Sequence, residues 1–173
     1  MKHLLFCICC LALVTTLSGQ TQKGSQLLGG QIDLSNNFLG DDSNLFSIGL
    51  SPDWGYFIGD DLALGGRMNL NYVNTSGSSL TSFYIGPFVR YYFPGEGRTR
   101  IFGELGLGGG TIAAGGLSSG FFEWNIGPGL ALFLNEHVAF EFTLMYDGSS
   151  QSNTYFSEID FRIGLQVYMF KSN

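Results

Sequence analysis

The stretch FYIGPFVRYYF, residues 83–93, decides the fold of this protein. Every odd position carries an apolar side chain, whereas the even positions bring Gly86 and Arg90 between aromatic residues. Strict alternation over so many residues is typical of a β-strand whose two faces meet different surroundings. The stretch therefore predicts a strand with one bulky apolar face and one face of mixed small, aromatic and charged residues.

The same alternation recurs along the chain from residue 26 onward. No segment shows a sustained helical period of apolar residues. Glycine and charged or amide residues separate the alternating segments, as expected for turns. Eight strands are predicted, at residues 26–34, 46–58, 62–72, 83–93, 100–111, 121–134, 138–146 and 159–170.

Composition excludes several classes of protein. The chain has 173 residues, enough for one domain, and only 13% of them are charged, against ~25% in ordinary soluble domains. A formal net charge of −6 argues against a nucleic-acid partner, because phosphate binding requires a basic surface. The 45% hydrophobic content excludes a disordered chain.

The N-terminus has the pattern of a secretory signal peptide. Lys2 precedes an apolar run over residues 4–14, and small and polar residues follow up to Gln20. The apolar run is too short to span a membrane as a helix. We expect cleavage after Gly19, which divides the chain into a signal peptide, 1–19, and a single barrel domain, 20–173.

All three cysteines, Cys7, Cys9 and Cys10, lie in the segment that is expected to be removed. A lipoprotein cut before Cys9 or Cys10 is the alternative, although no Leu-small-small pattern precedes either residue. Cleavage after Gly19 leaves a mature chain without cysteine, which excludes disulfides and thiolate metal sites.

The connections between the predicted strands alternate in length. An even number of strands, with short turns at one end and longer loops at the other, is typical of an up-and-down outer-membrane barrel. This pattern predicts short turns in the periplasm and longer loops outside the cell. The short turns are 59–61, 94–98 and 135–137, and the longer loops are 35–44, 73–80, 112–120 and 147–157.

The chemistry of the two strand faces favours a membrane barrel over a secreted soluble barrel. An eight-stranded barrel encloses a space only just wide enough for side chains. The glycine-rich face with its few charges fits that space better than the bulky apolar face, which we expect to contact lipid. Aromatic residues near the short turns suggest an interfacial girdle. They are Tyr56, Phe57, Tyr91, Tyr92, Phe93, Phe133, Tyr168 and Phe170.

Three strand prolines repeat at one position of alternate strands. Pro52, Pro87 and Pro128 each follow a small residue, and each comes six positions before the last apolar residue of its strand. Proline removes a hydrogen bond from a β-ladder and usually marks an edge or a bulge. Because the alternation continues through each proline, we expect local kinks with lipid-facing side chains and no one-residue bulge.

The inner face is predicted to carry paired charges, since an unpaired charge in a narrow interior is expensive. A turn centred on residue 60 places Asp53 opposite Arg67, and a turn centred on residue 97 places Arg90 opposite Glu104. Closure of the barrel brings the first and last strands together, which suggests a third pair, Asp33 with Arg162. The lumen residues predicted from strand parity are Asp33, Asp53, Arg67, Arg90, Glu104, Glu123, Glu141 and Arg162.

No catalytic or metal site is predicted. The mature chain has one histidine, His137, in a short turn beside Glu136 and away from any nucleophile. The acidic doublets at 41–42 and 60–61 lack the ligand spacing of a calcium loop. No cofactor is expected.

Several runs resemble the small outer-membrane β-barrel (porin-like) family of the OmpA, OmpX and OmpW type. They are SPDWGYFI at 51–58, DLALG at 61–65, IGPFVRYYF at 85–93, FGE at 102–104 and IGPG at 126–129. The resemblance implies an all-β, eight-stranded antiparallel up-and-down transmembrane barrel in the outer membrane of a Gram-negative cell, with both termini periplasmic. It implies no single activity, because similar barrels serve different functions.

The resemblance also implies partners. They are outer-membrane lipids and lipopolysaccharide, periplasmic chaperones and the barrel-insertion machinery, with the barrel itself a monomer. The terminal signal of such proteins usually ends on an aromatic residue, whereas here Phe170 is followed by Lys-Ser-Asn. The insertion signal is therefore assigned to Tyr168 and Phe170.

Three functions are compatible with these features: a structural or surface-interaction barrel with a filled lumen, a narrow channel or conduit for small or hydrophobic solutes, and a lipid-modifying enzyme. The position of His137 disfavours the enzyme. Inner-face glycines leave space, while inner-face aromatic residues and charged pairs fill it. The balance favours a closed, non-enzymatic barrel.

Overall fold

The computed structural model describes residues 20–37, 45–75, 78–95, 97–151 and 154–170, which form eight strands closed into one antiparallel barrel. The predicted fold class is confirmed. The predicted signal peptide lies outside the described residues. The strands are β1 (Gln26–Asn37), β2 (Leu45–Gly59), β3 (Leu62–Thr75), β4 (Ser78–Tyr92), β5 (Thr99–Ala114), β6 (Leu117–Phe133), β7 (Val138–Gln151) and β8 (Thr154–Met169).

Strands adjacent in sequence are adjacent in space, and β1 pairs with β8 to close the barrel. The closing ladder begins at Gln26 and Met169 and ends at Gln31 and Gly164, so it involves only the half of β1 nearest the chain terminus. Within the described segments, no helix is long and apolar enough to cross a membrane.

The period of two becomes an outer and an inner face. In β4, Ile85 and Val89 point outward and are about half exposed, whereas Phe88 and Arg90 point inward and are 2% and 0% exposed. Large apolar side chains cover the outside of every strand whose side chains are described in full. This outer surface matches the apolar band of a transmembrane barrel.

The predicted long loops are wrong in three of four places. β3–β4, β5–β6 and β7–β8 are joined by two residues each, at 76–77, 115–116 and 152–153. Gly115 and Gly116 both have positive φ, 57° and 82°, which a tight hairpin turn requires. Polar serine, asparagine and glycine residues at 73–80, 112–120 and 147–157 signalled loops, but most of them continue the strands. The fourth predicted loop, 35–44, begins within β1, which continues to residue 37, and residues 38–44 lie outside the described part of the chain.

These longer strands project beyond the apolar band at the end away from the chain termini. On the outside of β4, Phe83 is followed toward the hairpin by Thr81 and Ser79, and on β6 Phe122 is followed by Gly120 and Ser118. At the opposite end the outward residues remain apolar up to the turns, as with Phe93 and Leu134. We call the end with the termini the base and the other end the far end.

The predicted aromatic girdle is partly wrong. Tyr56, Tyr91 and Phe93 lie on the outer face near the base and are 41–49% exposed, as a girdle requires. The remaining strand aromatics of that set point inward because neighbouring strand positions alternate between faces. Phe57, Tyr92, Phe133 and Tyr168 are buried inside the barrel, at 0–2% exposure.

The strand prolines lie on the outer face at a common depth, and none introduces a bulge. The register of β2 with β3 is unchanged between Leu50↔Leu70 and Asp53↔Arg67, and the pairing is interrupted at Pro52 and the residue before it. Pro87 and Pro128 interrupt their ladders with β5 and β7 in the same way. On the other side, each proline pairs with a glycine: Pro52 with Gly30, Pro87 with Gly66 and Pro128 with Gly103.

Candidate functional site in the barrel lumen

The lumen contains two layers of different chemistry. Nearer the base is a plug, formed by a charge cluster of Asp53, Arg67, Arg90, Glu104 and Glu141 above a layer of aromatic side chains. Toward the far end the lumen widens into a polar cavity of about 470 Å³, which we call the vestibule.

Both cross-strand ion pairs calculated from the turn centres are present in the charge cluster. Asp53 lies directly opposite Arg67, and Arg67 Nη2 is 3.1 Å from Asp53 Oδ2. Arg90 lies directly opposite Glu104, and its Nη2 is 2.7 Å from Glu104 Oε2. All four side chains are at most 7% exposed. Parity and turn position were sufficient to place these pairs, because adjacent strands share a fixed register.

Further ion pairs of the cluster cross the lumen between strands that are not neighbours. Arg67 of β3 donates from Nη1 to Glu104 Oε1 of β5 at 2.7 Å. Arg90 of β4 donates from Nη1 to both carboxylate oxygens of Glu141 in β7, at 3.0 and 2.9 Å. The parity argument placed Glu141 on the inner face without a partner. The cluster thus joins two guanidinium groups to three carboxylates in one network.

Neutral side chains extend this network, and no sequence pattern pointed to their role. Tyr168 donates a hydrogen bond to Glu141 Oε1 at 2.7 Å, and the hydroxyl groups of Tyr168 and Tyr92 are 2.7 Å apart. Gln166 donates from Nε2 to Asp53 Oδ1 at 2.9 Å. These contacts satisfy polar atoms that burial would otherwise leave unpaired.

Aromatic rings pack against the guanidinium groups. The Arg90 Cζ atom is 4.5 Å from the ring centre of Phe102, and Arg67 and Arg90 lie 5.2 and 5.4 Å from that of Phe88. Glycines make room for both rings: a Cβ atom at Gly65 would lie 2.4 Å from Phe88, and one at Gly129 would lie 2.2 Å from Phe102. The inner-face glycines therefore leave space that aromatic rings occupy. These rings add cation–π attraction to the ion pairs.

The aromatic layer closes the barrel toward the base. Phe57 packs beside Tyr92 and Tyr168 at ring-centre distances of 5.8 and 6.4 Å, and Phe133 packs on Tyr168 at 4.9 Å. Leu27 fills the remaining space and is fully buried. Above this layer the charge cluster is 7% exposed or less, so the plug leaves no solvent-filled path at this level of the described structure.

The chain segment before β1 lies across the base of the barrel. Gly24 donates its backbone N–H to the Phe57 carbonyl at 2.9 Å, and Thr21 Oγ1 donates to Asp61 Oδ1 at 2.5 Å. Arg100 forms an ion pair with the same Asp61 carboxylate at 2.6 Å. This segment reinforces the closed end of the lumen.

The vestibule is lined by strand residues of both halves of the barrel. Arg67 lies at its floor, and Tyr84 and Phe121 form part of its wall. Asp147, Glu158 and Asp160 also line it, although 147–157 was predicted to be a loop and none of the three was assigned to the lumen. Of the residues assigned by parity, Glu123 and Arg162 line this cavity and not the plug.

Arg162 forms ion pairs with acids of β7 and β8, and its predicted pair with Asp33 stays a prediction. Arg162 Nη2 lies 2.7 Å from Asp147 and 3.4 Å from Asp160. The side chain of Asp33 lies outside the described part of the chain, and the β1–β8 ladder ends two positions before residue 33. Asp147 takes the guanidinium because β7 continues past the point where the sequence suggested a loop.

The histidine that was considered for catalysis and the residues assigned to the insertion signal lie near the base. His137, in the turn between β6 and β7, packs its ring against Phe170, with the ring centres 4.7 Å apart. Among the described residues, no three His, Cys, Asp or Glu side chains are grouped to hold a metal ion. Tyr168 points into the lumen of the folded barrel, and its recognition before folding stays a prediction.

Comparison with known proteins now identifies the family. The model of the outer membrane protein beta-barrel domain family matches residues 7–167. The chain belongs to this family. Its membership places it in the outer membrane and confirms the resemblance seen in the strand motifs.

Solved structures share the fold at low sequence identity. The N-terminal β-barrel domain of Pseudomonas aeruginosa OprF is 17% identical, with a TM-score of 0.58 over 85% of this chain and 98% of that one. Neisserial surface protein A (NspA) is 14% identical, with a TM-score of 0.57 over 85% and 96%. OprG of P. aeruginosa is 14% identical, with a TM-score of 0.53 over 89% and 99%. No curated protein matches the sequence.

Proposed function

We propose that the protein is a non-enzymatic, non-conducting outer-membrane barrel that serves as a structural or surface-interaction protein. The observation that carries the proposal is the plug. Arg90, at its centre, is 0% exposed and contacts Glu104 on the neighbouring strand β5 and Glu141 across the lumen on β7. An ion crossing this level would have to displace a buried guanidinium that forms ion pairs with two buried carboxylates, which is costly.

Planar-bilayer recording tests this proposal directly. The purified barrel, inserted at high protein-to-lipid ratio, is expected to leave the membrane at baseline conductance. Steady single-channel conductance of the wild-type protein would overturn the closed-lumen function and favour the second candidate, a narrow conduit for small solutes. The vestibule favours that second candidate, because its cavity of about 470 Å³ already opens the far-end part of the lumen.

We further propose that the base faces the periplasm and the far end faces outside the cell. Loop length no longer supports this orientation, since three far-end connections have two residues each. The hairpins that project past the apolar band support it instead, because transmembrane barrels carry their longer projections on the outer side. In this orientation both termini are periplasmic, where chaperones and the insertion machinery act on the unfolded chain.

Cysteine labelling on intact cells tests the orientation. Cysteine replaces Ser118, at the exposed start of β6, in one variant and Asp60, in a base turn, in another. A membrane-impermeant maleimide is expected to label only the Ser118→Cys variant. Labelling of Asp60→Cys alone would invert the topology.

A further inference from the structure

The vestibule differs from the plug in how its charges face one another. In the plug, acid faces base across each hydrogen-bonded strand pair. In the vestibule, Asp147 of β7 lies directly opposite Glu158 of β8, and both line the cavity. Like charges at directly opposed positions repel and destabilise a sheet. A cation placed between them would remove this repulsion.

Arg162, the arginine that pairs with acids of the vestibule, does not neutralise all of them. Arg162 pairs with Asp147 and Asp160, while Glu123 and Glu158 form no ion pair with any described residue. Arg67, at the floor, is held by Asp53 and Glu104 of the plug. Four carboxylates thus share one guanidinium. Their excess negative charge in one enclosed cavity concentrates negative potential there and attracts cations.

A buried amide oxygen provides an independent sign of a missing ligand. Asn125 lines the vestibule from β6 and is only 3% exposed. Its Oδ1 atom accepts no hydrogen bond from any described residue. An unsatisfied buried acceptor is expensive, and rotation of the Asn125 amide toward the cavity would let an N–H donor bound there satisfy it.

The aromatic wall suits the same ligand. The rings of Tyr84 and Phe121 lie parallel, with centres 6.5 Å apart, and both line the cavity. Aromatic faces attract ammonium groups and also accept the methylene chain that joins them. Carboxylates, an amide acceptor and aromatic faces together form a binding surface for an organic cation.

The spacing of the acids suits an organic cation better than a metal ion. A divalent metal requires several ligands converging on one point, and the described residues contain no such group of three. Glu123 and Glu158 instead lie on strands separated by β7, so their negative charges are spread along the wall. A chain with several separated ammonium groups matches this distribution better than a point charge does.

We propose that the vestibule is a binding site for a linear aliphatic polyamine, with its ammonium groups near Glu123, Glu158 and Asn125 Oδ1. This site goes beyond the closed-barrel function and does not depend on whether the lumen conducts. The cavity volume of about 470 Å³ is within the usual range for small-molecule sites, ~300–1,000 Å³.

Calorimetric titration of the folded barrel in detergent micelles with spermidine tests the site. The wild-type protein is expected to bind in a saturable manner that weakens as sodium chloride is added. The variant E123Q/E158Q keeps the shape of both side chains and removes their charges. Its affinity should fall about tenfold or more, since each lost charge-assisted hydrogen bond costs about one factor of ten.

Two further variants keep the result interpretable. E136Q removes a carboxylate in an exposed base turn and should leave spermidine binding unchanged. N125L removes the buried acceptor at similar volume and should weaken binding several-fold while the E123 and E158 charges remain. The circular dichroism spectrum of each variant checks that the barrel is folded.

Three outcomes would overturn the proposal. The first is no saturable binding of spermidine by the folded wild-type barrel. The second is equal affinity in E123Q/E158Q and in wild type. The third is a loss of spermidine affinity in E136Q equal to that in E123Q/E158Q, or binding of sodium ions as tight as that of spermidine at the same concentration of positive charge. Either result would mean that net charge alone attracts the cation.

Discussion

The plug and the vestibule occupy the same lumen, yet they differ in how their charged side chains are compensated. The plug sets two guanidinium groups among three carboxylates, adds tyrosine and glutamine donors, and excludes water. The vestibule holds four carboxylates against one guanidinium beside a solvent-accessible cavity. Charges at the closed level are paired within the protein, whereas charges at the open level are left for solvent or a ligand.

The difference predicts that ion pairs in the plug contribute more to the stability of the barrel than ion pairs in the vestibule. Breaking a fully buried ion pair leaves an uncompensated charge and is strongly destabilising. Breaking a pair next to water costs little, because water solvates the charge that remains. Substitution of one arginine in each layer should therefore give effects of very different size.

The largest effect is expected for Arg90→Ala in the plug. Glu141 loses its cation and Glu104 keeps only Arg67, and both carboxylates stay buried, which should lower the free energy of unfolding by about 3–5 kcal/mol. Equilibrium urea unfolding in lipid vesicles measures the change. The control Arg98→Ala removes an exposed guanidinium in a base turn and should change stability by no more than about 0.5 kcal/mol.

Arg90→Ala should also affect conductance. Removing the guanidinium opens space at the level of the charge cluster, so the variant is expected to conduct small cations where wild type does not. A variant as stable and as closed as wild type would show that the plug depends on its aromatic layer and not on its charges.

An intermediate effect is expected for Tyr168→Phe. The change deletes the hydroxyl that donates to Glu141 and contacts Tyr92, and it keeps the ring in the aromatic layer. Loss of a hydrogen bond to a charged group should destabilise the barrel by about 1.5–3 kcal/mol. The matched control Tyr91→Phe alters an outward tyrosine, 43% exposed, and should be nearly neutral. Equal effects for both variants would contradict the role assigned to the network.

A smaller effect is expected for Arg162→Gln in the vestibule. The arginine side chain is 15% exposed beside the cavity, so its loss should lower the free energy of unfolding by about 1 kcal/mol or less. The same variant should bind spermidine more tightly, since Asp147 and Asp160 become available. A stability loss as large as that of Arg90→Ala would remove the distinction between the two layers.

The smallest effect is expected for Pro87→Ala on the outer face. Alanine restores an N–H on the side of β4 where the ladder with β5 is interrupted, a gain of about 0.5–1.5 kcal/mol. It also gives the unfolded chain more freedom, a loss of about 0.4–1 kcal/mol. The two terms oppose each other, so urea unfolding should show a net change below about 1 kcal/mol. A large loss would show that the kink itself is required.

The alternation of residue types was sufficient to predict the number of strands, their faces and the nearest-neighbour ion pairs. Arg90 was placed on the inner face, opposite Glu104, because neighbouring hairpin strands share a register fixed by their turn. Strand ends were harder to predict. Serine and glycine at the far-end hairpins are compatible with both loop and strand, and pairing with the neighbouring strand decides between them.

The sequence by itself thus determined which side chains enter the lumen, since strand parity is a local property of the chain. Only the tertiary structure decided which of them meet across it. Arg90 reaches Glu141 three strands away, and Tyr168 reaches Tyr92 four strands away around the closed barrel. Such contacts depend on the diameter and the stagger of the whole barrel, which closure of β1 on β8 fixes and no single hairpin contains.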